Sequence, residues 1–384
     1  MTRVLLNMPS QFGGKPSGVA RVAFCLIEQF IQNSEFDYVL RSPWTKADLP
    51  KFLITPRLEV MTIKRPRYMV LDVIQQAFLM PALCRAKKID LLVNLDPFAA
   101  PAGGRARVMI VHDLYFRVIP EQVGPREAFT TDIICRLMLR NHDEIVTVSD
   151  ATRQDLVRYY PSSAARVQTI HSAATVAQDS KQDSDQNSSQ DGTPEIEGRY
   201  ILAVGNATAN KNYAVLARAM ALLHATFPDV ALVHVGHDPG ETIASTLAEQ
   251  GSGVRQVRLS GIDDSRLSQL YRHAVCLCVP SLYEGFCLPV LEAQDRDCPV
   301  ICSDRSATPE VAGEGALTFD PGDPQALANA LKALLVDPEL RERLIRAGRA
   351  NLGRFSWDKA AREYEAVFRR ALARRAAPVG TRSA

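Results

Sequence analysis

Short apolar runs, each followed by a loop and then by an amphipathic stretch, recur along the chain. Runs of about 4 to 8 residues rich in Val, Ile and Leu are typical of strands buried in a parallel sheet. Strands that alternate with helical segments predict an α/β fold. The predicted strands are Val4–Met8, Leu91–Leu95, Val108–Val111, Glu144–Val148, Tyr200–Val204, Ala231–Gly236, Val257–Gly261, Ala274–Val279 and Pro299–Cys302.

One internal segment breaks this alternation. Residues Gln178–Gly192 include no apolar side chain, so this stretch cannot bury enough surface to order itself. A chain of 384 residues is long enough for two α/β domains. We therefore expect an N-terminal domain over residues 1–175, a polar interdomain linker over 176–198, a second domain over 199–354, a C-terminal helix over 355–375 and a tail over 376–384.

Composition narrows the class of protein. The net charge is +2, with Lys and Arg spread along the chain, which argues against a nucleic-acid surface. The eight cysteines form no Cys-x-x-Cys motif, so they indicate buried thiols in a reducing cytosol rather than zinc ligands or disulfides. No apolar run approaches the roughly 18 residues of a membrane span, and the N-terminus lacks the features of an export signal. The expected location is the cytoplasm.

The turn after the strand Ala274–Val279 carries two carboxylates. Gly285 and Pro289 lead it into a predicted helix, whose first amides would point at an anion beyond the end of the strand. Glu284 precedes this helix and Glu292 lies inside it, eight positions on, so both lie roughly on one face. One ligand could contact both. The alternative is that Glu284 caps the helix and Glu292 is a solvated surface charge.

Two further features favour phosphate binding. A loop with Gly13, Gly14 and Gly18 follows the first strand and leads into a helix, and glycine lets the backbone approach a phosphate closely. The loop does not fit the spaced dinucleotide fingerprint, which argues against an oxidoreductase. Lys211 lies near the start of a later helix and could place an ammonium on a diphosphate, although an exposed lysine is the plain alternative.

Several motifs together resemble one family. The run Pro280–Phe286, continuing to Leu288, Pro289 and Glu292, resembles the glutamate-x7-glutamate motif of retaining, nucleotide-sugar-dependent glycosyltransferases of the family 4 type, which have the GT-B fold. In chain order, the other matching stretches are Ser17–Arg21, His112–Leu114 with Pro120 and Glu121, Lys211 with Asn212, and the loop at Ile262. The resemblance covers nearly the whole chain outside the linker. It implies two Rossmann-like α/β/α domains with a cleft between them: an N-terminal domain on the acceptor side and a C-terminal domain that binds the nucleotide sugar. It also implies that the C-terminal helix over 355–375 returns to the N-terminal domain.

The resemblance also implies roles for individual residues. The implied catalytic residues are His112, Glu284 and Lys211. His112 and Glu284 would contact the transferred sugar, whereas Lys211 and Gly18 would hold the diphosphate. Glu292 would bind the ribose hydroxyls, and the backbone at Ile262 would meet the base. The turn residues Phe286, Cys287 and Leu288 complete the donor-binding set.

Three residues depart from the family pattern. Ala20 stands where some relatives have a second glycine, and Asn210 replaces an arginine. Cys287 stands where many members have glycine, so a turn with positive φ is expected to be harder to form there. The family needs no bound metal, and we interpret Asp295–Asp297 as a surface turn rather than an Asp-x-Asp metal site.

The implied reaction is transfer of a hexosyl group from a nucleoside diphosphate sugar to a hydroxyl of a glycan or polyprenyl-linked saccharide, with retention at the anomeric carbon and without a cofactor. The first choice of donor is GDP-mannose, in bacterial surface polysaccharide synthesis. Two alternatives stay open. One is the same reaction with a UDP-sugar, and the other is a catalytically silent GT-B protein that binds nucleotide or carbohydrate.

The apolar stretch Tyr68–Leu83 has basic residues at both ends, Lys64–Arg67 before it and Arg85, Lys87 and Lys88 after it. It predicts an ordinary domain helix with solvated flanks. The alternative is a patch that binds the inner face of the cytoplasmic membrane and brings the enzyme to a lipid-linked acceptor.

Overall fold

A computed structural model describes residues 2–8, 18–33, 35–63, 69–174 and 196–376. The chain forms two compact units. Unit 1 consists of Met1–Ser172 and Ser356–Ala384, and unit 2 of Ala173–Phe355. Four features of the sequence lie outside the described residues: the polar segment Gln178–Gly192, the glycines Gly13 and Gly14, the basic stretch Lys64–Arg67 and the tail beyond residue 376.

Unit 1 is built on a seven-stranded sheet in the order β3-β2-β1-β4-β5-β6-β7, in which every pair is parallel. The strands are β1 (Arg3–Asn7), β2 (Asp37–Ser42), β3 (Leu58–Thr62), β4 (Leu91–Asn94), β5 (Ala106–Val111), β6 (Glu144–Thr147) and β7 (Val167–Thr169). The helices are α1 (Gly18–Asn33), α2 (Met69–Ala86), α3 (Tyr115–Val118), α4 (Pro125–Asn141) and α5 (Asp150–Tyr159).

Unit 2 is built on a six-stranded parallel sheet in the order β10-β9-β8-β11-β12-β13. Its strands are β8 (Tyr200–Val204), β9 (Ala231–Val235), β10 (Gln256–Leu259), β11 (Cys276–Val279), β12 (Val300–Ser303) and β13 (Ala316–Phe319). Its helices are α6 (Tyr213–His224), α7 (Thr242–Glu249), α8 (Asp264–His273), α9 (Leu288–Gln294), α10 (Thr308–Ala312), α11 (Pro324–Val336) and α12 (Pro338–Leu352).

The last helix, α13 (Trp357–Ala376), belongs to unit 1 although it follows unit 2 in the chain. It packs on α1 through aromatic rings, with the centroids of Phe368 and Phe30 5.5 Å apart. Its basic end is tied to the edge of β6, because Arg374 pairs with the buried carboxylate of Glu144 at 2.9 Å. These contacts complete the helical layer over that part of the sheet.

The fold class is confirmed, since both units are parallel-sheet α/β structures. Each predicted strand is present, with ends that shift by no more than two residues. Four strands were not predicted: β2, β3, β7 and β13. No helix in the described part of the chain is long and apolar enough to cross a bilayer.

Candidate active site

The turn between β11 and α9 is the centre of the site in unit 2. The residue immediately before α9 is Cys287, whose backbone is left-handed, with φ +77° and ψ +64°. A cysteine is expected to make a positive-φ turn harder to form here, and the chain nevertheless adopts one. The buried thiol occupies the conformation anyway, at a cost of about 1–2 kcal/mol for an L-residue. Burial raises the pKa of the Cys287 thiol well above its usual value, so the thiol stays protonated.

Glu284 is fixed at both its side chain and its backbone. Its Oε1 accepts hydrogen bonds from Lys211 Nζ and from Ser281 Oγ, each at 2.6 Å. Its carbonyl accepts a hydrogen bond from Ser306 Oγ at 2.6 Å, and its amide donates to the same oxygen at 3.3 Å. Because Cys287 holds the N-cap position of α9, Glu284 does not cap this helix.

Lys211 reaches Glu284 from a second loop. It ends the 3₁₀ turn Ala209–Lys211 after β8, and its side chain is 20% exposed. Burial alone would lower the pKa of this ammonium, but the adjacent carboxylate of Glu284 raises it above its usual value. Gly205, beside this side chain, has φ +126°, a backbone conformation that other residues adopt only with strain. Lys211 is therefore a charged, partnered side chain and not an ordinary surface lysine.

Asn210 joins the same two loops. Its side-chain amide donates to the carbonyl of Tyr283 at 3.2 Å, and its own carbonyl accepts from the amide of Leu282 at 2.8 Å. Asn210 thus holds the Lys211 loop against the Glu284 turn.

Glu292 lies on α9 and is buried, 6% exposed. Its Oε2 accepts a hydrogen bond from the hydroxyl of Tyr271, on α8, at 3.1 Å. Burial, together with the adjacent carboxylate, raises the pKa of that hydroxyl well above its usual value. Glu292 is therefore not a solvated surface charge, and Tyr271 is a partner that the sequence did not indicate.

The remaining unit 2 residues occupy the same edge of the sheet. Ile262 is half-buried in the connection from β10 to α8, and the next residue, Asp263, caps α8 by accepting from the amide of Arg266 at 2.8 Å. Phe286 and Leu288 flank Cys287 in the turn itself. Because carboxyl ends of parallel strands meet at one edge, β8, β10 and β11 bring the predicted donor-binding residues of this unit to a common side.

Asp297, the second acid of the Asp-x-Asp triplet, forms a surface ion pair. Its two carboxylate oxygens accept from Arg349 at 2.5 and 2.6 Å. An arginine held in this bidentate way neutralises the carboxylate.

Unit 1 holds the other two predicted residues. Gly18 is the first residue of α1 and is exposed. His112 follows β5, is half-buried, and donates from Nε2 to the carbonyl of Leu95 at 2.9 Å. Burial lowers the pKa of His112 to about 4, so the ring is neutral at pH 7. Since Nε2 is the donor, Nδ1 carries the lone pair that can accept a hydrogen bond.

Asp96 is a residue that the sequence analysis missed. It follows β4, the strand next to β5, and its Oδ1 accepts from the amide of Phe98 at 2.7 Å. Burial raises the pKa of Asp96 to about 7, and the negative charge of Asp113 adds to the effect. A carboxyl group that titrates near neutral pH is common in functional sites. The only feature of the sequence that could have indicated Asp96 is its position just after a buried strand.

The two halves of the chain match two family models. The family described as Glycosyltransferase Family 4 matches residues 16–177, and the family described as Glycosyl transferases group 1 matches residues 184–351.

Curated relatives agree with these matches. The O-antigen chain mannosyltransferase B of Escherichia coli is 30% identical over 280 residues, which are 70% of this chain and 71% of that protein. The MMP alpha-(1->4)-mannosyltransferase of Mycolicibacterium hassiacum is 30% identical over 243 residues, 62% of this chain and 56% of that protein.

Solved structures share the fold over almost the whole chain. Sucrose-phosphate synthase from Thermosynechococcus elongatus superposes with a TM-score of 0.76 at 20% identity, covering 97% of this chain and 100% of that one. Anabaena HepE in complex with UDP and glucose superposes with a TM-score of 0.70 at 17% identity, covering 96% and 100%.

Proposed function

Because the chain belongs to the group 1, family 4 glycosyltransferases and is a glycosyltransferase, we propose that it transfers a mannosyl group from GDP-mannose with retention at the anomeric carbon. The acceptor is a hydroxyl of a glycan or polyprenyl-linked saccharide in bacterial surface polysaccharide synthesis. The observation that carries this proposal is the Lys211–Glu284 pair at the carboxyl edge of the unit 2 sheet.

The pair supplies two functions that sugar transfer from a diphosphate needs. The ammonium of Lys211 stabilises the negative charge that develops on the leaving diphosphate. When Lys211 turns to the phosphates, the Glu284 carboxylate becomes available to accept hydrogen bonds from the sugar hydroxyls, and Ser281 still holds its Oε1. The reaction then depends on positioning and charge stabilisation, with the leaving phosphate taking the acceptor proton.

The other residues position the two ends of the donor. Glu292, whose Oε2 accepts a hydrogen bond from Tyr271, binds the ribose hydroxyls, and the backbone at Ile262 meets the base. Gly18, Phe286, Cys287 and Leu288 lie against the diphosphate. Neutral His112 accepts a hydrogen bond from the sugar through Nδ1. No cofactor takes part, and nucleic acid is not a partner.

GDP-mannose is preferred as donor because the relatives from Escherichia coli and Mycolicibacterium hassiacum are mannosyltransferases. The competing donor class is a UDP-sugar, which the HepE complex with UDP and glucose suggests. The enzyme works in the cytoplasm, with peripheral contact to the inner face of the membrane that carries the lipid-linked acceptor.

The test is thermal stabilisation of the purified protein by GDP, UDP, ADP, dTDP and their sugars, without metal and then with magnesium. A ligand that binds only the native state raises the melting temperature. We expect the guanosine compounds alone to stabilise the protein, and Lys211→Ala to abolish the shift. The matched control is Lys332→Ala, an exposed lysine on α11 in the same unit, which should leave the shift intact.

Turnover completes the test. With GDP-mannose and an acceptor extract, Lys211→Ala and Glu284→Gln should each lower the rate by at least about 100-fold, and the anomeric proton signal of the product should report an α-mannoside. Stabilisation by uridine compounds alone would replace GDP-mannose with a UDP-sugar. An inverted product would contradict retention, and no nucleotide binding at all would contradict the proposal.

A further inference from the structure

Exposed apolar side chains are concentrated on two helices of unit 1. Of the eleven large hydrophobic residues that are exposed in the described part of the chain, eight lie on α2 and α4. The extreme cases are Phe78, 78% exposed, and Phe129, 68% exposed. The eight residues are Val70, Leu71, Ile74, Phe78, Leu79, Phe129, Ile133 and Leu137. We call them the α2–α4 surface.

The two helices lie in one layer on the same face of the sheet. Val73 of α2 packs in a single core cluster with Ile134 and Met138 of α4. Each helix thus buries one side in the core and leaves the opposite side in water. Because residues four apart share a helix face, Phe129, Ile133 and Leu137 form one continuous stripe along α4.

The α2 part of this surface carries almost no charge. Among the exposed positions from Val70 to Ala82 there is no charged side chain. The one acidic residue of the helix, Asp72, points inward, where its Oδ2 accepts from Gln76 at 2.7 Å and its Oδ1 lies 3.7 Å from Arg41. An apolar helix face in water with its only acid turned inward is typical of a surface that contacts another apolar phase.

Basic residues border the surface. Arg85 is exposed at the end of α2, and Arg126 and Arg140 are exposed at the two ends of the α4 stripe. Arg136, beside the stripe, is paired with Asp132 at 2.9 Å. Glu127 is the one exposed acid of α4. An apolar face with a cationic border complements a bilayer interface, in which anionic headgroups surround acyl chains.

We propose that the α2–α4 surface docks the enzyme on an anionic lipid bilayer, with Phe78 and Phe129 inserted below the headgroups. Charge selects this occupant over a second copy of the chain. In a symmetric dimer the same patch would face itself, so the arginine borders would repel each other, whereas anionic headgroups neutralise them. The α2–α4 surface would make the peripheral membrane contact proposed above, and its binding to lipid does not depend on the identity of the donor.

The test is co-sedimentation of the full chain with vesicles, which needs no sugar transfer and so fails or succeeds separately from the proposed reaction. We expect binding to vesicles with about one third phosphatidylglycerol and little binding to pure phosphatidylcholine. The Phe78→Ser, Phe129→Ser double variant should bind at least about tenfold more weakly. The matched control, Leu222→Ser with Val336→Ser, removes two exposed apolar side chains of unit 2 and should bind like wild type.

A second pair of variants tests the charges. Arg126→Glu with Arg140→Glu should lose binding to the anionic vesicles, whereas Arg343→Glu with Arg346→Glu, on α12, should keep it. Thermal melts check that each variant is folded. The proposal is overturned if the wild-type protein does not sediment with anionic vesicles, if the serine pair binds like wild type, or if sedimentation velocity shows a dimer that the serine pair dissolves.

Discussion

Cys287 occupies a backbone conformation that glycine adopts without cost. Its φ of +77° lies in the left-handed region, where the Cβ of an L-residue approaches the following carbonyl. Its side chain is nevertheless buried and lies in the turn that carries Glu284. The site therefore stores a small amount of backbone strain, and that strain is measurable.

We expect Cys287→Gly to be more stable than Cys287→Ala by about 1 kcal/mol, because both lose the sulfur but only alanine keeps the strained Cβ. Urea unfolding gives the difference. At Cys278, in the middle of β11, glycine weakens a strand, so the order of the same two variants should be reversed. Equal stability of the two variants at 287 would contradict the strain.

The side chains of the Lys211–Glu284 ion pair are only 20% and 10% exposed, so each charge depends on its partner for stability. We expect Lys211→Met alone to cost about 3 kcal/mol, because it leaves a buried carboxylate without its cation, and the double variant with Glu284→Gln to recover most of that loss. Denaturant unfolding of the four proteins gives the coupling energy. The exposed pair Arg199–Asp229 is the control, with an expected coupling below about 1 kcal/mol.

His142 provides a pH-dependent contribution to stability. It is buried, donates from Nδ1 to the carbonyl of Met138 at 2.6 Å, and accepts at Nε2 from the side-chain amide of Asn94 at 2.8 Å. Burial lowers its pKa from 6.5 to about 4. Protonation of Nε2 would also break the bond from Asn94.

Between about pH 4 and 6.5 the unfolded chain therefore binds more protons at this position than the native protein. His142 should make its full contribution to the free energy of unfolding above pH 6.5. This contribution, up to about 3 kcal/mol, should be lost as the pH drops toward 4. Denaturant unfolding at several pH values measures this. His142→Gln should flatten the slope, and His237→Gln, at an exposed position, should not. An unchanged slope in His142→Gln would assign the effect to other groups.

Whether an element could be predicted depended on the continuity of its apolar run. The runs that became β1, β4, β8 and β11 are short and mostly apolar, and their length together with the turn residues that follow them identifies such strands. β2 was not predicted, because Arg41 interrupts its apolar run. In the structure this arginine is buried and donates from Nη1 to Asn7 Oδ1 at 3.0 Å. That pairing comes from a distant residue, which local periodicity cannot show.

The same limit applies to the site. The acidic and basic residues of the turn region were predicted because the chain presents them in ordered motifs. Their partners were not, since Tyr271 meets Glu292 across two helices and Ser306 reaches Glu284 from the loop after β12. Asp96 was missed because its raised pKa is a consequence of burial, and burial belongs to the tertiary structure.

Helix α13 is expected to stabilise unit 1 through Phe368, which is fully buried against Phe30 and lies 6.2 Å from the ring of Phe36. Phe368→Ala should lower the stability of unit 1 by about 3–5 kcal/mol. Both tryptophans of the chain, Trp44 and Trp357, lie in unit 1, so tryptophan fluorescence follows its unfolding. Phe78→Ala, at an exposed phenylalanine of the same unit, should change stability by less than about 0.5 kcal/mol. Equal effects of the two variants would contradict the packing role.

The alternation of strands and helices was enough to predict the class of the whole molecule, because a parallel sheet requires a crossover after each strand. The assignment of the last helix to unit 1 depends on contacts between residues that are far apart in the chain. Unit 1 is discontinuous, since it takes α13 from the far end of the chain, whereas unit 2 is one continuous stretch with its own core around Leu216, Leu232 and Leu327. Unit 2 therefore has what an independently folding domain needs.

We accordingly expect residues 173–355, expressed alone, to fold and to bind the donor nucleotide. Lys211, Glu284 and Glu292 and the hydrogen-bond partners named for them all lie within this stretch. Calorimetry should give a dissociation constant within about tenfold of that of the full chain, since losing Gly18 removes one backbone contact worth about 1 kcal/mol. Lys211→Ala in the fragment should abolish binding, while Lys332→Ala should not. A folded fragment that binds no nucleotide would show that unit 1 supplies an essential part of the donor site.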